Sequence, residues 1–494
     1  MMTSIFRQEY NGCKSYGCAN CGESDLSRYH RSNRLGYEAY HCPLCGAYPP
    51  VLLNFPILEL ADQITKDKTK TQSILFCRCD YQPSFNWRKY GKTKIGTQKV
   101  QCKQCGSVDS LINSDKVSRR LQPLWRGIIN GISPHLLRQE IQSNPKTFYQ
   151  QIDELVDVLH QVSQLLEIMW LKKNTSIILQ TNSHHLECRS GFLRKKVPQK
   201  HTRLWCLNSI IASNGYHLLF NDNLLINNDT GEVEKREECR YKIEKKELPV
   251  VKNDNVLLTA EMTYSTILAR SQFDQLGYCD AIYAQSSEGT LVRPVYSAHA
   301  HMQTLRQIIP FTTSITCVLE HESFIRGAAI TTLSSEVKKG QSNLYYSHIY
   351  EWPGPIQLPE KIHDVVLGKP LSWWGETWHC FNHQYNDKTW SIAVGSLTKK
   401  KEDKVDGLIA LFPTHPDWNQ LFWDGFHSWI SNESTRKISH RYLMQWVKVY
   451  RFLYNFIEVG NRLNTNLSLN MESIEELVTF LNNSAIESRN EKSQ

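Results

Sequence analysis

Apolar positions along this 494-residue chain follow a helical period in some stretches and a two-residue period in others, and the changes of period divide it. The run LQPLWRGIINGISPHLLRQEIQSNPKTFYQQIDEL, residues 121–155, reads as helix, turn, helix, turn, helix. Gly131 stands where the first helix should stop. Ser133 caps the second with Pro134 at its first position, and Leu136, Leu137 and Ile141 supply its apolar stripe. Ser143 or Asn144 caps the third, with Pro145 just inside. That helix runs on, because Phe148, Ile152, Leu155, Leu159, Val162, Leu166 and Met169 alternate spacings of four and three. Such a stripe either seams a coiled-coil homodimer or packs on the chain's own core.

From Ser176 the period becomes two. SIILQTNSHHLECR, TRLWCLNSIIAS and GYHLLFNDNLLI are three consecutive strands, with Asn214-Gly215 as the turn between the last two. A charged loop, about 227–254, follows. NVLLTAEMTYSTILARSQFDQL and SITCVLEHESFIRGAAITTLSSEVKKG each read as strand then helix, and NLYYSHIYEW as a further strand. Three antiparallel strands followed by alternating helices and strands predict a mixed α/β sheet of the ribonuclease-H type. Trp373 to Trp378 and the basic run at 399–404 show no clear pattern. The part from Asp417 to Phe456 is helical and aromatic. A last helix opens on a Ser473/Glu476 capping box and presents Ile474, Leu477, Val478 and Leu481; residues 482–494 are polar and should fray.

Cysteine spacing adds two small modules ahead of these elements. Cys18 and Cys21 precede Cys42 and Cys45, and Cys77 and Cys79 precede Cys102 and Cys105, at similar intervals. RYHRSNRLGYEAYHCPLCG and NWRKYGKTKIGTQKVQCKQCG both run from basic and aromatic residues through glycine and a strand into the second pair. These are two tandem zinc ribbons, each expected to hold one structural Zn2+ with four thiolates and no open position for water. Disulfides would require export, and MMTSIFRQEY has no apolar run of the kind a signal sequence needs. The expected divisions are ribbon 1 at 1–50, a linker at 51–72, ribbon 2 at 73–112, and the helix-turn-helix with its long helix at 113–172. The core follows at 173–460 and the C-terminal helix and tail at 461–494.

Charge then separates the parts. Residues 1–150 carry 21 Lys and Arg against 11 Asp and Glu, and the remaining 344 carry 36 against 38. A basic first third on a neutral body implies an anionic partner at that end, most simply a phosphate backbone. In ribbon 2, Arg88, Lys89, Lys92, Lys94 and Lys99 interleave with Trp87 and Tyr90. The third helix of the helix-turn-helix presents Lys146, Thr147, Tyr149, Gln150 and Gln151 to a major groove. The expected partner is double-stranded DNA, and no run of residues is apolar and long enough to span a membrane.

Zinc ribbon, helix-turn-helix and ribonuclease-H-like core, in that order, resemble bacterial insertion-sequence transposases of the DDE class. QKVQCKQCG looks like their zinc-ribbon ending, TRLWCLNSIIASNGYHLLFNDN like their second and third core strands, CVLEHESFIRGA like the acidic strand-to-helix junction, and VYRFLYNFIEVG like their C-terminal Tyr-Asn-Phe helix. The resemblance implies a bacterial cytoplasmic protein and three carboxylates holding two divalent metals: one in the first core strand, one ending the fourth, one on a later helix. The first position holds Asn182, a neutral amide. Glu320 or Glu322 stands at the second, and only Asp424 is acidic in the third region. The expected function is therefore a DNA-binding protein related to these transposases without strand-transfer activity. The alternatives are an active transposase that binds Mg2+ through Asn182, Glu320 or Glu322, and Asp424, and an adaptor whose zinc ribbons bind proteins.

Overall fold

The structure is a computed structural model describing residues 7, 9–34, 38–69, 87–94, 96–190, 200–226, 263, 285–286, 289–351, 363–366, 377–398, 405–430, 435–465 and 468–487. It is a mixed α/β protein of two compact units. One comprises Met1–Thr65, Leu171–Asp424 and Thr435–His440; the other comprises Lys66–Trp170, Gly425–Ser434 and Arg441–Gln494. Compactness cuts across the divisions expected from sequence, since the first cysteine module shares a unit with the large sheet and the second shares one with helices.

In chain order, β1 (His30–Ser32) and β2 (Ala39–His41) form the hairpin of the first cysteine module, and α1 (Asn54–Thr69) follows. β3 (Trp87–Lys92), β4 (Gln98–Cys102) and β5 (Val108–Ser110) form the antiparallel sheet of the second. Three helices come next: α2 (Ser114–Ile129), α3 (Pro134–Glu140) and α4 (Pro145–Lys173). Asn113 caps α2 by accepting the Lys116 N–H at 2.9 Å, and Asn144 caps α4 by accepting that of Thr147 at 2.9 Å. α3 is two turns long and buries Leu137, while Leu136 is 49 % exposed, so its apolar stripe is narrower than the sequence suggested.

The long stripe of α4 is taken up by the chain itself. Phe148, Ile152, Leu155, Leu159, Val162 and Leu166 are each no more than 3 % exposed, and Phe148 lies against Trp446 with ring centroids 6.3 Å apart. Met169 alone of the seven reaches the surface, at 38 % exposure. The Phe148–Leu166 part of the stripe is thus covered within the chain.

The large sheet begins with β6 (Ser176–Ser190), β7 (Lys200–Ile211) and β8 (His217–Asp222), an antiparallel meander. β9 (Leu224–Ile226) pairs in a small separate sheet with β10 (Gln285–Ser286) and β11 (Gly289–Leu291). α5 (Pro294–Ile308) leads to β12 (Ser314–Glu320), and α6 (Ser323–Lys338) to β13 (Ser342–Glu351). β12 is parallel to both β6 and β13. β14 (His363–Val366), β15 (Thr377–Tyr385) and β16 (Lys388–Ser396) extend the sheet antiparallel beyond β13, giving the order β14-β15-β16-β13-β12-β6-β7-β8. α7 (Val405–Ile409), α8 (Trp418–Ile430), α9 (His440–Phe456) and α10 (Ile474–Glu487) complete the described chain. In the second unit, α10 and its lead-in close on α2: the Trp125 indole N–H donates to the Met471 carbonyl at 3.1 Å, and the Ile474 N–H to the Gln122 side chain at 2.8 Å. Among the described residues, no helix is long and apolar enough to cross a membrane.

Two-residue alternation gives β6 two working faces. Ile177, Leu179 and Thr181 turn one way, and Thr181 joins a buried chain of polar groups that anchors α5. Its hydroxyl meets that of Ser209 at 2.7 Å; Ser209 meets His301 Nε2 at 2.8 Å; His301 Nδ1 meets Asn221 Oδ1 at 2.5 Å; and the Asn221 amide donates to Ser297 at 2.8 Å. Gln180, Asn182 and His184 turn the other way, toward α8.

His301 is fully buried, and burial pushes its pKa down to about 3, so it stays neutral in the folded state. Replacing it by leucine strands Ser209 and Asn221 without a shared partner and should lower stability by about 2–4 kcal/mol, read from urea midpoints. The wild-type imidazole takes up a proton in the unfolded chain below about pH 6.5 but not in the folded one. Stability should thus fall as pH drops from 7 to 5, and it should fall less in His301→Leu.

Candidate metal centre and nucleic-acid surface

The first module brings four thiols together, and they are not the four that sequence spacing selects. Cys13, Cys18, Cys42 and Cys45 have sulfur atoms within 4.8 Å of one another, close enough to hold one metal ion. Cys13 and Cys45 are 3.4 Å apart and Cys18 and Cys42 are 3.8 Å apart. A tetrahedral ion with metal–sulfur bonds of about 2.3 Å needs sulfur–sulfur edges of about 3.8 Å, so the cluster is close to the required geometry. Cys21 stands outside it. Its backbone pairs with that of Cys13 as a β-bridge, and its buried thiol lies near Arg326 and Lys338 of α6. The pairing of residues 13 and 21 turns Cys13 inward in its place. A fifth cysteine in a module that needs four was the available signal.

Ionisation of these thiols is tuned unevenly. Burial raises Cys42, but hydrogen bonds from the Cys45 and Leu44 N–H groups and the Asn20 amide overcome it and bring the thiol down to about 7. Burial pushes Cys13 and Cys18 up. A bound cation would have to displace those protons, which makes affinity rise with pH.

The second module repeats the knuckle of the first. The Gly46 N–H donates to the Cys42 carbonyl at 2.9 Å and the Gly106 N–H to that of Cys102 at 3.0 Å, both glycines having φ just above +70°. The Cys42 N–H donates to Ala47 and the Cys102 N–H to Ser107, each at 2.8 Å; the Val51 N–H donates to Glu38 and the Leu111 N–H to Gln98, each at 2.9 Å. Each donor and acceptor is shifted by 60 residues. Cys77 and Cys79 lie outside the described residues, so half of that ligand set is not visible.

On the α8 side of the sheet, the positions of the expected carboxylates are only partly gathered. Leu319 pairs with Thr181, which sets Glu320 beside Asn182, and Glu320 accepts the Ser183 N–H at 2.6 Å. Glu322 is the N-cap of α6, where its charge favours the helix dipole, and accepts a hydrogen bond from Ser323 at 3.2 Å. Asp424 is exposed on α8 and both of its oxygens accept from Gln420 at 3.0 Å. Among the described residues, only the Cys13 cluster brings three or more such ligands within reach of one ion. Amides and an indole join α8 to the sheet. Asn208, opposite Asn182 on β7, donates to Asn419 and accepts the Trp423 indole N–H at 3.1 Å; Gln180 accepts the Trp418 N–H at 3.2 Å; and Trp423 stacks on His184 at 4.3 Å.

On the β3–β4 hairpin of the second unit Arg88, Lys89, Lys92 and Lys94 are exposed, with Tyr90 at 52 %, while Lys99 is half-buried. Arg88 is held by Gln101 at 3.1 and 2.7 Å. At the start of α4, Lys146, Tyr149 and Gln150 are exposed on one face. Thr147 is half-buried, Tyr149 packs on Tyr442 at 4.2 Å, and Gln151 is turned inward, donating to the Arg120 carbonyl at 3.1 Å. The exposed basic side chains of α2, Lys116, Arg119, Arg120 and Arg126, escaped the sequence reading, although the segment 87–150 carries 12 Lys and Arg against 3 Asp and Glu.

No protein-family model matches the chain, and neither a curated protein nor a solved structure does.

The ligand exchange has a direct test. Cys13→Ser should lose the metal bound by the first module, measured by atomic emission on purified protein, and Cys21→Ser should keep it; the reverse result would restore the spacing-based ligand set.

Proposed function

We propose that this chain is a DNA-binding protein related to insertion-sequence transposases that acts by occupying its site rather than by cutting and joining strands. The observation that carries the reading is the concentration of positive charge in residues 87–150, exposed on a hairpin and on one helical face. The three helices α2, α3 and α4, with short turns at Gly131 and at residues 141–144, support a helix-turn-helix in which Lys146, Tyr149 and Gln150 meet base edges. Arg88, Lys89, Lys92 and Lys94 then follow phosphates. A meander of three strands with two parallel strands added beside its first supports the ribonuclease-H reading of the sheet.

The cysteine cluster fits one structural Zn2+, and the matching knuckle at Cys102 and Cys105 supports a second, completed by Cys77 and Cys79. Four thiolates would hold each ion as a cross-link and leave it no catalytic position. The bonded amides around Asn182 favour loss of strand transfer. Two divalent cations need anionic oxygens, and Asn208, Asn419 and Gln180 offer neutral groups already engaged with one another.

Purified protein incubated with supercoiled DNA and Mg2+ or Mn2+ should leave it intact; cleavage abolished by Glu320→Ala would establish the enzyme instead. Duplex binding should weaken steeply with salt, and neutralising Arg88, Lys89, Lys92 and Lys94 together should lower the log–log salt slope by about 3–4. Lys146→Ala with Gln150→Ala should cost about 1–3 kcal/mol of discrimination between sites. Negligible duplex affinity at low salt would leave the adaptor reading.

A further inference from the structure

We propose that the first turn of α9 belongs to the DNA-reading face of α4, with Arg441 as a positioning residue that masks the carboxylate of Asp153 from the phosphate backbone. This rests on the reading of α4 as the helix that enters the groove. Lys146, Tyr149, Gln150 and Asp153 follow one another at helical spacing, so the acid shares a face with the three exposed side chains proposed to meet DNA. It stands one turn beyond Tyr149. α9 comes alongside that face, with Tyr442 against Tyr149 at 4.2 Å between ring centroids and the buried Trp446, one turn further along α9, 6.3 Å from Phe148. Beside these ring contacts, Arg441 donates to one oxygen of Asp153 at 3.0 Å, and Gln445, one turn on from Arg441, donates to the other.

An ion pair this open to water adds little to stability: the side chains of Arg441 and Asp153 are 65 % and 35 % exposed. Its effect on a polyanion is larger. Asp153 lies about 6 Å along the helix from Tyr149 and about 10 Å from Lys146. A phosphate drawn to those side chains therefore comes within about one Debye length, ~8 Å at physiological salt, of the carboxylate, and a bare carboxylate repels it. The guanidinium cancels that charge. The next acid of α4 is treated alike, since Arg120 of α2 donates to the carboxylate of Glu154. The first two acids of α4 are thus each met by an arginine from a flanking helix, and neither offsets the charge of Lys146.

Fluorescence anisotropy of a labelled mixed-sequence duplex, titrated with the full chain and its variants, tests this. At ~0.15 M salt Arg441→Ala should bind about three- to tenfold more weakly than wild type, and Asp153→Asn about two- to threefold more tightly. The double variant should fall within about twofold of wild type, because the net charge of the pair is neutral, negative, positive and neutral again across the four proteins. The differences should shrink together as salt is raised. If the pair only braces α9 on α4, Asp153→Asn weakens binding as Arg441→Ala does, and that result overturns the masking role. Unchanged affinity in Arg441→Ala overturns it too, as does a loss that the double variant fails to recover. Tighter binding by Asp153→Asn is read independently of how well Arg441→Ala folds. Absence of duplex affinity in the wild type at low salt would instead overturn the reading of α4 itself.

Discussion

The parallel pairing of β12 on β6 fixes nearly everything of interest in the first unit. It carries Leu319 opposite Thr181 and so sets Glu320 against the backbone of Ser183. Because strand residues alternate, that one register also decides that Thr181 turns to His301 while Gln180 and Asn182 turn to α8. A shift by one residue would exchange the two faces, exposing Leu179 to the amides of α8 and burying Asn182 against α5. The hydrophobic alternation and the polar chain from Thr181 to Asn221 hold the same register, so neither has to do so alone.

Around Asn182 the chain has solved a packing problem in a way that bears on chemistry. Carboxylates gathered at the edge of a sheet repel one another and need cations to stay together. Amides can donate and accept at once, and Asn208 does both, giving a hydrogen to Asn419 while receiving one from Trp423. A helix bonded this way is held without an ion. The stacking of Trp423 on His184 covers the same ground with an apolar plate.

What could be read from sequence follows from how local each signal is. The α2–α3–α4 turns were legible because Asn144, Pro145 and Gly131 act within a few residues of themselves, and the three-strand meander because its runs are rich in branched and aromatic residues and Asn214-Gly215 marks a turn. α5 was not legible: Pro294 through Arg306 are all buried, and a helix covered on every side has no polar stripe to show its period. The β15–β16 hairpin was overlooked although Asn386-Asp387, with φ of 48° and 59°, is the turn such hairpins favour. Three of the four clustered thiols, Cys18, Cys42 and Cys45, were legible. Cys42 and Cys45 share one knuckle and obey the two-residue gap, but the choice of Cys13 over Cys21 depends on a backbone bridge between residues eight apart, which spacing does not encode.

The two cysteine modules make the division between backbone and side chain plain. Their knuckles use the same hydrogen bonds shifted by 60 residues, so the backbone does not distinguish them. Their surfaces do. Leu44 occupies the knuckle position of the first, 63 % exposed, where the second has Gln104, and the first offers Arg28, His30 and Arg31 against Arg88, Lys89, Lys92 and Lys94 in the second. The lysines of the second stay in solvent, while Lys14 of the first is committed to His299 and Arg7 to Thr331. One repeated backbone thus carries two surfaces, one whose cations stay in solvent and one whose cations bond to its own unit.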